Sequence, residues 1–292
     1  MKNYIKYFIK NILQLKDRSN WCLGYFKNSS EFKLTNKNLL NNIKKAKIFR
    51  SPKDEFWADP FLIRHKQRLF IFFERFYKKK NKGVICVCEL KNKKLINFKN
   101  VIVEPYHLSY PMLFRGKNKF FLAPESYQDK KVQIYESVEF PFKWKKINTI
   151  FNNEITADPT IFKYNNSFWI FINKTKKRLN DLNKKLYLYK FNKNFKKVIP
   201  HKRNPIFSSL NGGRSAGNII RYGKKIIRLG QINTKENYGS GVNFYEIKKL
   251  NLKEYQEKKI ASVNSKNFKN CIGIHHFCKV GNDYVFDLNL LK

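Results

Sequence analysis

The sequence is poor in glycine and lacks the short motifs of nucleotide-binding enzymes. Only 12 of its 292 residues are glycine, so tight turns have to rely on asparagine and lysine, and asparagine tolerates left-handed backbone conformations. The sequence contains neither a Walker loop nor a dinucleotide-binding fingerprint. A phosphate-binding site therefore has to be sought in segments of another kind.

Cysteine is also scarce, with five residues in the chain: Cys22, Cys86, Cys88, Cys271 and Cys278. The number is odd and no secretory framework is visible, so we expect reduced thiols in a cytoplasm. The last two cysteines flank His275 and His276, but their spacing matches no common zinc motif. Strand alternation would also place some of these side chains on opposite faces. We therefore predict no metal site.

Acidic residues are few: 21 Asp and Glu stand against 61 Lys and Arg, which gives a net charge of +40. Such a field attracts anions, among them nucleic acid, anionic lipid and phosphorylated substrates. The lysines are spread over every segment and are enriched together with Asn, Ile and Phe, as A/T-rich codons would produce. This favours a solvated basic surface, and an anionic membrane surface is the partner it suits. No nucleic-acid motif accompanies the charge, so nucleic acid is not expected as a partner.

A pattern of strand, turn and strand recurs five times along the chain. The copies cover residues 56–74, 110–125, 157–173, 216–229 and 275–287. The first and third share an Ala-Asp-Pro start and align without a gap. Starts roughly 50 to 60 residues apart suit one four-stranded blade each. Together with 16% aromatic residues, this predicts an all-β, five-bladed β-propeller.

The segments between the copies complete the predicted fold. The last copy leaves little room for outer strands, so we predict that residues 21–26 supply a strand to blade five. Residues 27–50 are expected to form a polar connection with a weak strand at 47–49, and residues 174–184 and 250–270 to form charged surface loops. No linker divides the chain, which predicts a single propeller domain over residues 21–292.

Residues 1–20 are predicted to form a short amphipathic N-terminal helix. Its apolar residues recur at helical spacing, and lysines occupy the other side. It is too short and too charged to span a bilayer, and no cleavage site of a signal peptide follows. Either it lies in an anionic membrane interface, or it packs against the propeller. The expected location is the cytoplasm, peripheral on the inner membrane.

The inner strands of a propeller converge on its axis, so residues at equivalent positions of the repeat meet in space. The predicted ring consists of Asp59, Tyr110, Asp158, Arg214 or Ser215, and His275 or His276. Glu74 and Glu125 follow one hairpin later. Gathered carboxylates suit sugar chemistry, because one can stabilise positive charge at the anomeric carbon while another moves a proton. The alternative is that Asp-Pro only starts a strand.

Three further segments are candidates for substrate binding. Trp57, next to Asp59, is either a platform on which a sugar stacks or part of the core. His107 precedes the second copy and lies at the predicted channel mouth. Residues 203–217 form a flexible basic segment that could hold a phosphate through backbone N–H groups and Arg214.

Five short motifs resemble one family of propellers. They are Phe-Trp-Ala-Asp-Pro-Phe at 56–61, Glu-Pro-Tyr-His-Leu-Ser-Tyr-Pro at 104–111, Pro-Glu-Ser at 124–126, Ala-Asp-Pro-Thr at 157–160 and Ser-Ala-Gly at 215–217. They resemble the N-terminal domain of glucosamine inositolphosphorylceramide transferase and its stand-alone bacterial relatives. That domain is similar to the five-bladed propeller of glycoside hydrolase family 43. The resemblance covers roughly residues 50–290.

The resemblance implies glycosyl transfer or cleavage. It implies that Asp59 is the general base and that Asp158 tunes the acid. The family 43 acid is missing from its usual place, because blade four opens with Arg214 and Ser215, and Glu125 is a candidate substitute. We therefore expect a glycosyltransferase of cell-surface polysaccharide or glycolipid biosynthesis, with a sugar-nucleotide donor, a glycan or glycolipid acceptor and no other cofactor. In that reaction Arg214 would stabilise the departing phosphate.

Two alternatives remain open at this point. One is a family 43-like glycoside hydrolase. The other is a non-catalytic propeller that binds anionic polymers through its charge.

Overall fold

The computed structural model describes residues 20–28, 33–116, 118–176, 179–192 and 195–291. Almost all regular structure in these residues is β-strand. The strands are β1 (Trp21–Lys27), β2 (Lys47–Phe49), β3 (Glu55–His65), β4 (Arg68–Tyr77), β5 (Lys82–Lys91), β6 (Lys94–Ile102), β7 (Ser109–Arg115), β8 (Phe120–Glu125), β9 (Val132–Glu139), β10 (Lys143–Ile150), β11 (Ile155–Tyr164), β12 (Ser167–Thr175), β13 (Lys185–Phe191), β14 (Val198–Pro200), β15 (Phe207–Ser208), β16 (Asn211–Ser215), β17 (Ile220–Tyr222), β18 (Lys225–Ile232), β19 (Gly241–Leu250), β20 (Tyr255–Asn264), β21 (Cys271–Gly273), β22 (Phe277–Val280) and β23 (Asp283–Leu290).

The strands form five antiparallel sheets, one for each copy of the repeat. Blade one is β3–β4–β5–β6, and blade two is β7–β8–β9–β10. Blade three is β11–β12–β13–β14, with β15 also paired to β13. Blade four is β16–β18–β19–β20, with β17 also paired to β18, and blade five is β21–β23–β1–β2, with β22 also paired to β23. The prediction of an all-β, five-bladed propeller is confirmed.

The ring closes through the strand that was predicted to do so. Strand β1 pairs with β23 from Trp21 opposite Asn289 to Lys27 opposite Asp283, and β2 pairs with β1 on the outside. Gly24 lies opposite Phe286, and a Cβ atom at Gly24 would come within 2.2 Å of the Phe286 ring. The closure therefore requires glycine at this position, because any side chain there would displace the ring.

A helix was missed in the polar connection. Helix α1 (Asn36–Lys44) begins after Thr35, whose side-chain oxygen accepts the N–H of Asn38 at 3.3 Å. Leu39 and Ile43, four residues apart, are its buried residues, and this one apolar pair was too little for the periodicity to reveal. The helix predicted over residues 1–20 falls, apart from Asn20, outside the described residues.

A second correction concerns residues 250–270, which were expected to form a surface loop. About half of this segment, Tyr255–Asn264, is β20, the outer strand of blade four, which pairs along β19. One of its acidic residues, Glu257, is paired with Arg228 at 2.6 Å, and the Arg228 side chain is only 1% exposed. The high charge of the segment therefore reflects an outer strand that faces solvent on one side, and not the absence of a strand.

The core lies within and between the blades and is rich in phenylalanine. Phe72, Phe73 and Phe171 are fully buried, as is Phe244 in blade four. Burial of a side chain of this kind stabilises the fold by about 1.5–3 kcal/mol. These layers fix the position of each blade, and so the position of the side chains that each inner strand directs toward the axis.

Candidate active site

The inner strands of the first three blades break their pairing at the same place, an Xaa-Pro pair. The register of β3 with β4 skips from Ala58 to Phe61, and the same skip occurs around Tyr110 and Asp158. Asp59, Tyr110 and Asp158 have φ angles of 52°, 43° and 48°. The following proline has no N–H to offer the ladder, so it fits where the pairing is interrupted. Bulges of this kind redirect a side chain, here toward the axis.

Asp59 meets the first residues of blade five. Its Oδ1 lies 3.4 Å from Nε2 of His275 and 3.5 Å from Nδ1 of His276. Its Oδ2 accepts the backbone N–H of Tyr110 at 3.1 Å. The backbone N–H of Asp59 itself donates to Asp287 at 3.0 Å. The carboxylate is thus fixed from two neighbouring blades.

Asp287 is a functional candidate that the sequence analysis missed. Its Oδ2 lies 2.9 Å from Nδ1 of His275, and its Oδ1 accepts the backbone N–H groups of His275 and His276 at 3.0 Å each. The available signal was its place at the end of the fifth copy, near where Glu74 ends the first. One carboxylate oxygen each of Asp59 and Asp287 and one ring nitrogen of His275 lie within 4.8 Å of one another. We call these three residues the aspartate–histidine group.

Electrostatics make this group an ion pair. Burial alone would raise the pKa of Asp59, but the charge of His275 and the contact with His276 outweigh it and lower the pKa to about 2. Burial alone would lower the pKa of His275, but Asp287 and Asp59 raise it to about 9. The proton of His275 therefore supplies the positive charge that the two carboxylates require.

A second group joins blades two, three and four. Nε of Arg214 donates to Asp158 at 2.6 Å, and Nη2 donates to Glu125 and Asp158 at 3.2 Å each. Nη1 donates to Asn183 at 3.0 Å, at the end of the short 3-10 helix Leu179–Asn183. The side chains of Arg214, Asp158 and Glu125 are 13%, 3% and 7% exposed. We call these three residues the acid–arginine cluster.

The pKa of Glu125 is shifted in the opposite direction from that of Asp59. Burial raises the pKa of Glu125 well above its ordinary value, the negative charge of Asp158 raises it further, and Arg214 opposes this only in part. The pKa values of Glu125 and Asp59 are therefore displaced in opposite directions. Two carboxyl groups whose pKa values are pushed apart are the usual basis of paired acid and base roles.

Tyr110 closes the axis behind these groups. Its hydroxyl bonds to Thr160 at 2.7 Å, and it both accepts the N–H and donates to the carbonyl of Gly217, each at 3.0 Å. Its ring packs edge-on against Phe61 at 5.0 Å and His276 at 5.2 Å. One buried residue of blade two thus contacts all four other blades. Tyr110 is therefore buried behind the site, where it holds the blades together and does not contact a ligand.

Two other residues of blade four escaped prediction. Gln231 donates to Asp158 at 3.4 Å and to the carbonyl of Ser215 at 3.0 Å. Tyr238 lies over Arg214, whose Cζ atom is 5.2 Å from the ring centroid. The Tyr238 ring also meets that of His275 at 5.4 Å. The two charged groups therefore lie side by side beneath Tyr238. Neither residue is part of the repeated pattern, so no periodicity could indicate them.

Glu74 and His107 form a separate pair between blades one and two. Nδ1 of His107 accepts the N–H of Gly83 at 2.9 Å, and Nε2 lies 3.5 Å from Glu74. The Tyr127 ring lies 6.1 Å from that of His107, and burial together with the carboxyl groups of Glu125 and Glu74 raises the pKa of Tyr127. The pair is thus a neighbour of the acid–arginine cluster.

Two predicted substrate-binding residues are placed in the interior. Trp57 is 7% exposed, packs on Phe73 and Phe98, and donates its indole N–H to Glu55 at 3.1 Å. Of the two roles left open for Trp57, the structure favours the core. His276 is fully buried against Phe61. His276 has no exposed surface, so it can contact Asp59 but not a substrate.

The fold is similar to those of glycoside hydrolases of known structure. A family 117 glycoside hydrolase from the marine bacterium Zobellia galactanivorans matches with a TM-score of 0.56 and 11% identity, covering 94% of this chain and 92% of that one. An exo-β-1,3-galactanase from Phanerochaete chrysosporium matches with a TM-score of 0.55 and 10% identity, covering 78% and 55%. At these identities the similarity establishes the fold alone.

Curated relatives are similar in sequence. Glucosamine inositolphosphorylceramide transferase 1 of Oryza sativa subsp. japonica is 29% identical over 206 residues, which cover 69% of this chain and 27% of the relative. The protein of the same name from Arabidopsis thaliana is 26% identical over 285 residues, covering 89% and 37%. The chain therefore spans between about a quarter and two fifths of the length of these relatives.

A family model described as "Glucosamine inositolphosphorylceramide transferase 1, N-terminal" matches residues 27–277. The match includes four of the five blades and the first part of the fifth. It contains both the acid–arginine cluster and, apart from Asp287, the aspartate–histidine group. The chain belongs to this family of N-terminal propeller domains.

Proposed function

We propose that the end of the propeller axis bearing Asp59 and Glu125 is a carbohydrate active site, and that the chain acts as a glycosyltransferase in glycolipid or cell-surface polysaccharide biosynthesis. The observation that carries this proposal is the group of three buried carboxyl groups near the axis, Asp59 against His275, and Glu125 and Asp158 against Arg214. The pKa of Asp59 is lowered and that of Glu125 is raised. The names of the relatives, which are transferases, support the choice of reaction.

Asp59 suits the stabilisation of positive charge. The transition state of glycosyl transfer resembles an oxocarbenium ion, so charge develops at the anomeric carbon. A pKa of about 2 keeps Asp59 ionised throughout the physiological range. The same low pKa makes it a weak proton acceptor, since an effective base has a pKa near the working pH. We therefore assign charge stabilisation to Asp59 in preference to the general-base role that the resemblance implied.

Glu125 is the candidate proton donor. A buried, protonated carboxylic acid can give its proton to a leaving oxygen as the glycosidic bond breaks. A phosphate leaving group departs without such help, whereas an alcohol requires it. The raised pKa of Glu125 is therefore the specific observation that favours a second candidate function, a glycoside hydrolase.

Arg214 has a different task from the phosphate binding expected of it. Its guanidinium already donates to Asp158, Glu125 and Asn183. The positive charge of Arg214 is balanced by the negative charge of Asp158, so little of it remains to attract a phosphate. We propose that Arg214 positions the two carboxyl groups and Asp158 holds Arg214 in place, so that Asp158 tunes Glu125.

The acceptor and the location belong to the same proposal. The relatives' name contains inositolphosphorylceramide, so we propose a glycolipid acceptor. The net charge of +40 suits work at an anionic membrane surface, which we place at the cytoplasmic face. Among the described residues there is no helix long and apolar enough to cross a membrane.

The test is a thermal-shift screen of the purified chain against nucleotide sugars, neutral oligosaccharides and the polyanion heparin. A ligand that binds only the folded state raises Tm by mass action. Asp59→Asn and Asp158→Asn are compared with Asp54→Asn, an exposed carboxylate that pairs only loosely with Lys79 at 3.7 Å. We expect one nucleotide sugar to stabilise the wild type and the Asp54 variant, and to act less on the two site variants.

Other outcomes change the assignment. Stabilisation by neutral oligosaccharides alone, with release of the chromophore from a nitrophenyl glycoside, would favour the hydrolase. A shift with heparin alone, unaffected by Asp59→Asn and steeply dependent on salt, would identify a binding module and refute both enzymes.

A further inference from the structure

An exposed tyrosine lies above the charged groups of the site. Tyr238 belongs to loop 233–240 between β18 and β19, and it is 39% exposed. The side chains of Arg214 and His275 beneath it are 13% and 6% exposed. We propose that Tyr238 is the residue that packs against the sugar ring and helps determine which sugar is accepted, and that this sugar is uncharged. The inference rests on the proposed function and names a binding residue for it.

The inner side of the Tyr238 ring is held by two cations. The Arg214 guanidinium lies over the ring at 5.2 Å, and the His275 ring meets it at 5.4 Å and 64°. Attraction between a cation and the negative face of an aromatic ring fixes such an arrangement. The exposed part of the ring is free to contact a ligand. Sugar C–H groups, which carry partial positive charge, pack well against that kind of surface.

The loop that carries Tyr238 is fixed by its own hydrogen bonds. Asn233 accepts the N–H of Gly239 at 2.8 Å, and Thr234 accepts the N–H of Asn237 at 2.9 Å. Gly239 has a φ of +66°, and a Cβ atom there would lie 2.7 Å from Cβ of His275. The loop therefore lies directly on the aspartate–histidine group. A binding surface that is already in place loses little entropy when a ligand binds.

The charges under Tyr238 favour an uncharged ligand. Arg214 lies 2.6 Å from Asp158, and His275 lies 2.9 Å from Asp287 and 3.4 Å from Asp59. Each cation therefore already faces a carboxylate at ion-pair distance. A phosphate or uronate here would meet no unbalanced positive charge and would face at least three acidic side chains. A neutral sugar would meet hydrogen-bonding groups without that repulsion.

Tyr238 provides the exposed aromatic surface that Trp57 does not. The aromatic residue expected to stack on a sugar is buried in the core with 7% exposure. The exposed ring beside the two charged groups is the one in loop 233–240. An aromatic surface combined with a few fixed polar groups is the usual construction of a small-ligand site.

The experiment measures sugar binding by saturation-transfer NMR and calorimetry. The probes are the methyl glycosides of glucose, galactose, mannose and N-acetylglucosamine, with glucuronate as the anionic comparison. Tyr238→Ala, Tyr238→Phe and Asp59→Asn are compared with Val138→Ala, a change of a side chain that is 64% exposed on β9. We expect Tyr238→Ala to weaken binding of the preferred neutral glycoside about tenfold, and Tyr238→Phe, which keeps the ring, to change it less than about threefold.

Each other result has a defined meaning. If a glycoside binds the wild type and loses affinity in Asp59→Asn but not in Tyr238→Ala, the site is real and Tyr238 is not its binding residue. If glucuronate binds more tightly than every neutral glycoside, the assignment of an uncharged sugar is wrong. If the wild type binds neither these glycosides nor any nucleotide sugar, the proposed function fails and this inference fails with it.

Discussion

Loss of the Arg214 charge should destabilise the propeller far more than loss of the cation of an exposed ion pair. Arg214→Met keeps most of the side-chain length but leaves Asp158 and Glu125, 3% and 7% exposed, without their shared cation. Removing one partner of a buried ion pair costs about 3–5 kcal/mol, because the remaining charge is buried and unpaired. In a domain of this size each kcal/mol lowers Tm by about 2–4 °C, so we expect a fall of about 10 °C.

The control is Lys249→Met. Lys249 pairs with Glu254 at 2.8 Å, and both side chains are exposed, at 47% and 42%. Exposed pairs contribute about 0–1 kcal/mol, so this variant should stay within about 3 °C of the wild type. Thermal unfolding followed by circular dichroism measures both.

A second change separates charge from packing. Adding Asp158→Asn to Arg214→Met removes the unpaired carboxylate, and should restore a large part of the lost stability. If Arg214→Met melts within the range of the Lys249 control, the cluster is not an ion pair that matters to folding. If the stability losses of Arg214→Met alone and Asp158→Asn alone simply add in the double variant, the destabilisation comes from packing, and the charge argument is wrong.

Three shorter predictions follow. Because the folded pKa of His275 is about 9 against an ordinary 6.5, its stabilising effect is complete below pH 6.5 and is lost as pH rises through 9, by about 3 kcal/mol. Urea unfolding measured across this pH range should show the loss, and His275→Gln should reduce the dependence of the unfolding free energy on pH. If that dependence is the same in the variant, the assignment is wrong. Tyr110→Phe leaves the buried N–H of Gly217 without its acceptor and should cost about 1–3 kcal/mol in the same assay, with a negligible loss as the contrary result. Gly24→Ala forces a methyl group into the Phe286 ring and should cost about 1–3 kcal/mol, whereas an unchanged midpoint would mean that the closing strand can shift.

The fold was largely predictable because each blade repeats one local pattern. Strand alternation and the Ala-Asp-Pro starts mark the inner hairpins, and the short last copy requires an N-terminal strand to complete it. Outer strands carry weaker patterns, since one face meets solvent. This is why β20 was taken for a loop, although Glu257 on it forms a buried pair with Arg228.

Some members of the site were predictable from the repeat, but their contacts were not. Equivalent repeat positions placed Asp59 and Asp158 at the axis, which needs no knowledge of side-chain contacts. The partner of each residue depends on side-chain length and direction, so sequence could not pair Arg214 with Asp158 or bury His276. Tyr238 lies in a loop outside the repeat, where no periodicity applies.

The backbone contacts give the site carboxylates a second duty. In four successive blades an N–H at or next to the axis is accepted by a side chain of the preceding blade: Asp59 by Asp287, Tyr110 by Asp59, Asp158 by Glu125, and Ser215 by Asn173. These bonds connect neighbouring blades through the residues proposed to act on sugar. Substitutions at the site therefore affect stability and function together, and the two must be separated by choice of side chain.

Glu125 allows that separation. Glu125→Gln keeps a side-chain oxygen to accept the N–H of Asp158, which lies at 3.0 Å, but has no carboxyl proton to donate. We expect it to unfold within about 1 kcal/mol of the wild type, because only the proton is removed. We also expect it to lose any cleavage of a nitrophenyl glycoside, whose alcohol leaving group requires that proton. Glu125→Ala also leaves the N–H unpaired, and should be less stable by about 1–3 kcal/mol more. Equal stability of the two variants in urea unfolding would refute the coupling of blades through Glu125. Full activity of Glu125→Gln would refute its role as proton donor while leaving that coupling intact.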